Sequence, residues 1–303
     1  LCGDETYECD NLLLCTGSET FIPLIPGIDT VPYWTHRDAL DNKELPKSLV
    51  VIGGGVIGME FASFFNSLGV EVTVIEMLDE ILGGMDKELS AMLRVEYAKR
   101  GIKFMLNTKV VSLDGSAGEN GETQVRVNYE NAEGTGFSVA EKLLMSVGRR
   151  PVTKGFGLEN LNPEKTERGN IRVDGQMRTS VTGVYVCGDL TGFSLLAHTA
   201  VREAEVAVHA VLGKKDCMSY RAIPGVVYTN PEIAGVGDTE EALQKKGIPY
   251  RTVKLPMAYS GRFVAENEGV NGMCKLLLAE DDTVLGAHVL GNPASEIITL
   301  AGK

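Results

Sequence analysis

The alternation of apolar and polar residues changes period several times between residues 45 and 148, and each change predicts a new element. An apolar strand begins at Ser48 and leads into a glycine loop. The helices that follow are predicted at Val56–Leu68 and Lys87–Arg100, and the later strands at Glu71–Ile75 and Lys103–Met105. Strands that alternate with helices in this way are typical of a doubly wound α/β unit.

The end of this region predicts strands only. Lys109–Leu113, Gln124–Asn128 and Phe137–Val147 have the pattern of a short β-meander. A turn rich in Gly, Glu and Asn is predicted at Asp114–Glu122, and we expect it to be exposed to solvent. The segment Val147–Pro151 then predicts a strand, a tight turn and a stop at proline.

Both flanks of the α/β unit predict further layers. Before it, a strand pair is predicted at Cys2–Glu8 and Asn11–Cys15, followed by a proline-containing linker with a boundary near Phe21. After it, the predicted elements are strands at Ile171–Val173 and Val184–Cys187 and a helix at Leu195–Leu212. From Tyr220 onward the pattern predicts an α+β domain with a helix at Thr239–Lys246 and strands at Val226–Thr229, Tyr250–Leu255, Met273–Ala279 and Val284–Leu290.

The composition narrows the class of protein. With 303 residues and 44% hydrophobic content, the chain is long enough for two or three cores, and no apolar run is long enough to span a bilayer. A net charge of −12 without a basic cluster argues against a nucleic acid or an anionic membrane as partner. We therefore expect a soluble, globular protein, for which nucleotides remain suitable ligands.

The cysteines and the chain ends give expectations about redox state, cellular location and truncation. Six cysteines lie far apart, mostly in apolar runs, and form no C-x-x-C or metal-ligand spacing. We therefore predict buried, reduced thiols and no metal site. No signal peptide is visible, which favours a cytoplasmic location. Because the chain opens at Leu1 and stops at Lys303 within a predicted helix, we expect both ends to be truncated.

The glycine loop after the first strand carries the clearest candidate chemistry. Gly53, Gly55 and Gly58 fit G-x-G-x-x-G, whose glycines permit a tight turn, close approach of a pyrophosphate and helix packing, in that order. The following helix presents the positive end of its dipole to phosphate. The remaining candidate contact residues of the loop are Gly54, Val56 and Ile57.

An acidic residue at the end of the next strand supports this interpretation. Glu76 lies 23 residues after Gly53, where a carboxylate can accept hydrogen bonds from the adenosine ribose hydroxyls. A 2′-phosphate would need Arg or Lys there, whereas Glu76 is followed by Met, Leu, Asp and Glu. The sequence therefore favours NAD over NADP. A lone glycine fingerprint would be weak evidence, because many glycine-rich turns only satisfy a backbone with positive φ.

A second candidate site follows the predicted strand at Val184–Cys187. Asp189 lies just beyond this strand, where its carboxylate can accept a hydrogen bond from a sugar-like hydroxyl. The stretch from Leu195 to His198 is predicted to open a helix whose N-terminal amides suit an electron-rich ligand. An ordinary turn at a strand end is the alternative.

Taken together, these motifs resemble the FAD-dependent pyridine nucleotide-disulfide oxidoreductases along the whole chain. The resemblance is closest to the members that oxidise dihydrolipoamide. It rests on six stretches: Thr16–Ser18, Gly53–Glu60 with Glu76, Gly148–Pro151, Gly188–Asp189, Leu195–His198 and Tyr228–Gly237.

The resemblance implies two cofactors and their contact residues. The expected FAD contacts are Thr16, Gly17, Ser18, Gly188, Asp189, Leu195, Leu196, Ala197 and His198. For NAD, Val110 and Gly148 would join the glycine loop and Glu76. Glu60 matches the family glutamate that pairs with a lysine near the flavin N5, although that lysine is not in this chain. His198 is expected to contact flavin rather than to act as an acid or base.

The fold implied is an α/β fold in which a Rossmann-like doubly wound NAD domain is inserted into a partial FAD-binding domain and followed by a partial α+β dimerisation domain. The predicted boundaries are 1–20 and 151–215 for the FAD domain, 21–150 for the NAD domain and 216–303 for the interface domain. The implied partners are dihydrolipoamide or a lipoyl domain, and a second copy in a homodimer.

The departures from the family are equally specific. The chain has no flavin-binding glycine fingerprint at its start, no redox C-x-x-x-x-C and no C-terminal His-Pro. We therefore expect no catalytic residue in this chain and no activity toward lipoamide. A related reductase of disulfides or metal ions, a transhydrogenase, an NADH oxidase, and a non-catalytic NAD-binding module remain alternatives.

Overall fold

The structure is a computed structural model that describes residues 5, 7–117, 123–267 and 269–302. Its strands are β1 (Leu12–Leu14), β2 (Ser18–Thr20), β3 (Ser48–Ile52), β4 (Glu71–Ile75), β5 (Lys103–Met105), β6 (Lys109–Ala117), β7 (Thr123–Asn131), β8 (Gly134–Ala140), β9 (Lys142–Met145), β10 (Arg149–Pro151), β11 (Val184–Val186), β12 (Gly225–Val227), β13 (Ile233–Gly237), β14 (Arg251–Pro256), β15 (Met273–Leu278) and β16 (Val284–Leu290). Its α-helices are α1 (His36–Asp41), α2 (Val56–Ser67), α3 (Lys87–Lys99), α4 (Ala197–Val211), α5 (Glu240–Lys246), α6 (Gly261–Glu266) and α7 (Ala294–Ala301).

The chain divides into two compact units, each made of two separated segments. The first unit comprises Leu1–Glu19 and Arg149–Ile223. The second comprises Thr20–Gly148 and Pro224–Lys303. The second unit therefore joins the middle of the sequence with its C-terminal part.

A four-stranded parallel sheet, in the order β5-β4-β3-β9, is the centre of the second unit. Ser48 lies opposite Glu71 and Ile52 opposite Ile75 in the β3–β4 register. The residues of β3 after Ser48 are all buried, as expected for the near-continuous apolar run of a central parallel strand. The two helices predicted between these strands are α2 and α3, and their ends agree with the sequence pattern to one residue.

The predicted β-meander differs from the structure in two places. The single strand expected at Phe137–Val147 is two strands: β8 pairs antiparallel with β7, whereas β9 pairs parallel with β3. The chain changes sheet at Glu141, whose backbone N–H donates to Ser48 Oγ at 3.0 Å and whose carboxylate accepts from the Lys47 N–H at 2.9 Å. The predicted turn at Asp114–Glu122 is wrong for its first half, because β6 continues to Ala117, and residues 118–122 lie outside the described residues.

The C-terminal part of the second unit is a five-stranded antiparallel sheet in the order β12-β13-β16-β15-β14. The sequence pattern missed β13, α6 and the full extent of α7, whose Ala294 and Ile298 are buried against this sheet. The Lys275 ammonium of β15 is fully buried and lies 2.8 Å from Asp86 Oδ2 and 2.9 Å from Glu88 Oε2. Glu240 contacts the same ammonium, so three carboxylates compensate one buried cation.

The first unit is held by a short parallel pair, β1 with β11, and by α4. Leu14 of β1 and Val186 of β11 share a core cluster with Ile171. The strand predicted at Ile171–Val173 is wrong: Ile171 makes only an isolated bridge to Lys165.

Two further predictions for the first unit need correction. β1 pairs with a strand from far along the chain, whereas the sequence pattern predicted a local pair with Cys2–Glu8, most of which lies outside the described residues. The helix predicted from Leu195 begins two residues later, at Ala197. No helix in the described part of the chain is both long and apolar enough to cross a membrane.

Candidate functional site

The loop between β3 and α2 has a shape that only glycine permits at two positions. Gly53 has φ +101°, and a Cβ on it would lie 2.6 Å from the Ser146 carbonyl oxygen. A Cβ on Gly58 would lie 2.0 Å from the Gly53 carbonyl oxygen, because the first turn of α2 packs directly on the loop. The first and third glycines of the fingerprint are therefore required by the fold itself.

The second glycine of the fingerprint is not required in this way. Gly55 has φ −73°, which other residues adopt readily, and a Cβ built on it has no described atom within 4 Å. Gly55 is also the N-cap of α2, and no described side chain caps this helix end. Open space beside uncapped amides at a helix N-terminus fits a pyrophosphate, so the residues present fit a dinucleotide here.

Two polar side chains fix the loop from its sides. The Glu76 carboxylate accepts hydrogen bonds from the backbone N–H groups of Gly54 at 2.6 Å and Leu78 at 2.8 Å. The Ser146 hydroxyl lies 2.9 Å from the carbonyl oxygens of Ile52 and Gly53. Sequence reasoning placed Glu76 but missed Ser146, whose only signal is a small polar residue at the end of the neighbouring strand β9.

The other NAD candidates occupy different surroundings. Val56 is exposed and Ile57 half-buried on the first turn of α2. Val110 is half-buried and packs on the core cluster between the parallel sheet and the meander. Gly148 has φ +134° with no described atom near its Cβ position, and its carbonyl oxygen accepts from the Phe21 N–H at 3.0 Å.

Glu60 lies on α2 and reaches toward the C-terminal sheet. Its Oε1 accepts a hydrogen bond from the backbone N–H of Tyr228 at 2.8 Å. Burial raises the pKa of the Glu60 carboxyl, and this effect outweighs the lowering by the Tyr228 hydrogen bond. Within its unit, Glu60 therefore has a backbone partner, the N–H of Tyr228.

In the first unit, Ser18 and Asp189 come together although they are far apart in sequence. Asp189 lies on a 3-10 turn directly after β11, and its carboxylate accepts a short hydrogen bond from the Ser18 hydroxyl. Arg149 donates to Ser18 Oγ at 2.7 Å and to the Ser18 carbonyl oxygen at 2.6 Å, and its Nε lies 4.0 Å from Asp189 Oδ2. These three residues form a polar cluster that we call the Asp189 cluster.

A buried carboxylate holds the turn on which Asp189 lies. Glu203 of α4 is fully buried and accepts hydrogen bonds from the Gly188 N–H at 2.6 Å, the Thr191 hydroxyl at 3.2 Å and the Tyr220 hydroxyl at 2.6 Å. Burial, together with the hydrogen bond to Glu203, raises the pKa of the Tyr220 hydroxyl. Sequence reasoning missed Glu203, whose signal is an acidic residue on the apolar face of α4, four positions after the buried Thr199.

The remaining FAD candidates lie at the ends of the same elements. Thr16 donates its hydroxyl hydrogen to the Val152 carbonyl oxygen at 2.7 Å, and Gly17 has φ +70° with no described atom near its Cβ position. Leu195, Ala197 and His198 are exposed around the start of α4, and Leu196 is its N-cap. An open glycine turn beside a carboxylate and an exposed helix start fits the ribityl and phosphate groups of a flavin nucleotide.

The cysteines differ from the prediction that all are buried. Cys9, Cys15 and Cys217 are exposed, Cys274 is half-buried and Cys187 is buried, whereas Cys2 lies outside the described residues. Burial and the neighbouring Cys15 raise the pKa of the Cys187 thiol to about 12. Within the described ranges, no group of three or more His, Cys, Asp and Glu side chains is placed to hold a metal ion.

The comparison with protein families finds matches for two successive segments of the chain. Residues 2–204 match the pyridine nucleotide-disulphide oxidoreductase family, and residues 223–302 match its dimerisation domain. The family match covers well over half of the chain. The chain therefore belongs to the pyridine nucleotide-disulphide oxidoreductases, which confirms the family resemblance and the fold class expected from the sequence.

Similar curated proteins are named dihydrolipoyl or dihydrolipoamide dehydrogenases. The chain is 39% identical to the mitochondrial dihydrolipoyl dehydrogenase of Dictyostelium discoideum, over 97% of this chain and 60% of that protein. It is 38% identical to the human mitochondrial dihydrolipoyl dehydrogenase, over 99% of this chain and 58% of that protein. It is 40% identical to the dihydrolipoamide dehydrogenase of Chaetomium thermophilum, over 98% and 58% respectively. The chain thus spans about three fifths of the length of these relatives.

Solved structures of the same family have a similar fold. The HOCl-induced flavoprotein disulfide reductase RclA of Escherichia coli matches with a TM-score of 0.85 at 30% identity, over 96% of this chain and 66% of that chain. LpdA of Mycobacterium tuberculosis matches with a TM-score of 0.85 at 30% identity, over 98% and 63% respectively. The fold is therefore that of the flavoprotein disulfide reductases.

Proposed function

We propose that this chain supplies the NAD-binding part and a share of the flavin-binding part of an NAD-linked dihydrolipoamide dehydrogenase, the lipoyl-oxidising component of 2-oxoacid dehydrogenase complexes. The observation that carries the proposal is the glycine loop, where two glycines are demanded by packing and Gly55 leaves open space beside helix amides. The identity of 38–40% to dihydrolipoyl and dihydrolipoamide dehydrogenases supports the choice of substrate within the family.

The preference for NAD rests on Glu76. Its carboxylate is already oriented by two backbone N–H groups, and each carboxylate oxygen keeps a further lone pair for a ribose hydroxyl. A 2′-phosphate placed at the same point would meet a like charge. The proposed NAD contacts are Gly53, Gly54, Gly55, Val56, Ile57, Gly58, Glu60, Glu76, Val110 and Gly148.

The proposed flavin contacts gather around the Asp189 cluster. Asp189 would accept a hydrogen bond from a ribityl hydroxyl, with Arg149 and Ser18 fixing the position of its carboxylate. The full proposed set is Thr16, Gly17, Ser18, Gly188, Asp189, Leu195, Leu196, Ala197 and His198. When bound, flavin supplies two-electron transfer to NAD, and the contribution of these residues is to bind and orient it. We assign Glu60 a supporting role near the flavin and no catalytic role to any residue of this chain.

The whole-protein properties are also proposals. We propose that the segment matched to the dimerisation domain mediates a homodimer, and that a lipoyl group is the substrate. We retain the domain assignment of 1–20 with 151–215 for flavin, 21–150 for NAD and 216–303 for the interface. The relatives include proteins named as mitochondrial, so a cytoplasmic location is a proposal that fractionation of the source cells must test.

A direct test is titration of the purified chain with NADH and NADPH, followed by reconstitution with FAD. We expect tighter binding of NADH than of NADPH, and yellow absorbance that stays with the protein after gel filtration. Equal affinity for both nucleotides would contradict the role of Glu76. NADH binding without retention of flavin would instead favour a non-catalytic NAD-binding module.

The disulfide chemistry of the proposal is tested on the flanking coding sequence. The coding sequence upstream should encode a second glycine fingerprint and a C-x-x-x-x-C, as the disulfide chemistry of the family demands. If both are missing there, the assignment to a disulfide reductase, and with it dihydrolipoamide oxidation, is wrong. A related reductase with another substrate remains the second candidate, because the RclA fold matches as well as that of LpdA.

A further inference from the structure

Two cysteines, one from each segment of the first unit, are neighbours just after the ends of β1 and β11. The β1–β11 register pairs Leu14 with Val186, so Cys15 and Cys187 are the next pair along the two strands. Their Sγ atoms lie 3.2 Å apart, although the residues are 172 positions apart in sequence. Adjacent strands are about 4.8 Å apart, which lies within the Cα separation of about 4.4–6.8 Å that a disulfide requires.

The two thiols differ in accessibility. Cys15 is an exposed residue, whereas Cys187 beside it is buried, with 4% of its surface exposed. Reactive cysteines that act as redox sensors commonly combine one accessible thiol with a neighbouring thiol that resolves it. Cys15 is the accessible residue of this pair, and Cys187 is the neighbouring thiol.

We propose that Cys15 and Cys187 form a reversible intramolecular disulfide when the protein meets a peroxide. The Cys15 thiolate attacks one peroxide oxygen, the O–O bond breaks, and the products are a sulfenic acid and a hydroxide. The hydroxide takes up the proton that the Cys15 thiol released on ionisation and becomes the first water. The Cys187 sulfur then attacks the Cys15 sulfur, the S–O bond breaks, and the hydroxide leaves as a second water with the Cys187 proton. The two thiols together lose two electrons, which the peroxide gains.

The disulfide would link the two segments of the first unit covalently. It joins the segment before residue 20 to the segment after residue 148, which β1 and β11 otherwise hold through backbone pairing and packing. It also lies directly before Thr16–Ser18 on one strand and before Gly188 and Asp189 on the other. Oxidation of this pair would therefore fix the spacing of the two strand ends that carry the Asp189 cluster.

Peptide mapping tests the proposal directly. The reduced 303-residue chain is treated with hydrogen peroxide, the remaining thiols are alkylated, and the chain is digested without reducing agent. We expect a cross-linked peptide pair containing Cys15 and Cys187 that disappears on reduction. Cys217, exposed in the same unit, is the matched control, and Cys217→Ser should leave the cross-link unchanged. Complete alkylation of Cys15 after peroxide, or cross-links from Cys15 to Cys9 or Cys217 in equal yield, would overturn the proposal.

A thermal measurement gives a second readout of the proposed bond. Closing a loop of this length removes enough entropy from the unfolded chain to raise Tm by about 5 °C or more. We expect this rise after peroxide, its reversal by a reductant, and its absence in Cys15→Ser. An unchanged Tm in the peroxide-treated wild-type chain would contradict a bond between the two segments.

Discussion

The glycine loop and the Asp189 cluster both follow the end of a buried parallel strand, but they are built in opposite ways. The loop depends on side chains that are absent, since a Cβ on Gly53 or Gly58 would collide with backbone oxygens. The Asp189 cluster depends on side chains that are present, because Arg149 donates hydrogen bonds to Ser18 and Glu203 accepts one from the N–H of Gly188, the residue before Asp189. The first site should therefore fail when atoms are added, and the second when polar atoms are removed.

The largest expected effect is that of Gly58→Ala. The added methyl group would lie 2.0 Å from the Gly53 carbonyl oxygen, so α2 must move away from the loop. We expect a loss of about 3 kcal/mol in the free energy of unfolding, measured with urea, and no measurable NADH binding.

Gly55→Ala is the matched control for this change. Its methyl group enters open space at an ordinary φ of −73°, so the unfolding free energy should change by less than about 0.5 kcal/mol. NADH affinity should nevertheless fall about tenfold, because the methyl group occupies the space we assign to the pyrophosphate. Unchanged NADH affinity in this variant would argue against that assignment.

Glu203→Gln should have the next largest effect. The amide keeps one acceptor oxygen where the carboxylate has two, so a buried donor among Gly188, Thr191 and Tyr220 loses its partner. We expect a loss of about 2 kcal/mol in the unfolding free energy and weaker retention of FAD. Glu205→Gln, two positions away with a side chain 57% exposed, should be close to neutral. Equal effects of the two changes would show that Glu203 does not support the cluster.

A smaller effect is expected for Glu76→Gln, which separates ligand binding from loop support. The amide can accept only one of the hydrogen bonds from Gly54 and Leu78, and it carries no charge to repel a 2′-phosphate. We expect NADH affinity to fall about tenfold, equivalent to about 1.4 kcal/mol. The ratio of NADH affinity to NADPH affinity should also become smaller. Glu71→Gln, exposed at the other end of β4, serves as the control and should change neither affinity.

The smallest effect is that of Tyr220→Phe, and it depends on pH. Because the folded protein raises the pKa of the Tyr220 hydroxyl above its unfolded value near 10, the stability from this group is complete below pH 10. It is lost as pH rises above 10, where the unfolded chain releases the proton first. We expect Tyr220→Phe to lose about 1 kcal/mol at pH 7 and to show a flatter decline of Tm between pH 9 and 11 than the wild-type chain. Parallel declines of Tm in the variant and the wild-type chain would contradict the role assigned to the Tyr220 hydroxyl.

The two sites also differ in how far the sequence predicted them. The glycine fingerprint and Glu76 are local signals, and the structure places the loop, α2 and Glu76 next to one another. Glu203 and the pairing of Ser18 with Asp189 were missed, because each contact joins elements with no fixed spacing in sequence. The strand predicted at Ile171–Val173 is wrong for a related reason. Its apolar residues pack in a core cluster, but no neighbouring strand among the described residues pairs with them along their length.

The sequence by itself determined the family, the α/β pattern of the middle region and the position of the dinucleotide loop, because glycine spacing and hydrophobic period act within one or two turns of backbone. Only the tertiary structure decided that β1 pairs with β11, that Phe137–Val147 divides between two sheets, and that Cys15 meets Cys187. These outcomes depend on which distant segments bury each other's apolar surface and satisfy each other's polar groups. No local pattern carries that information.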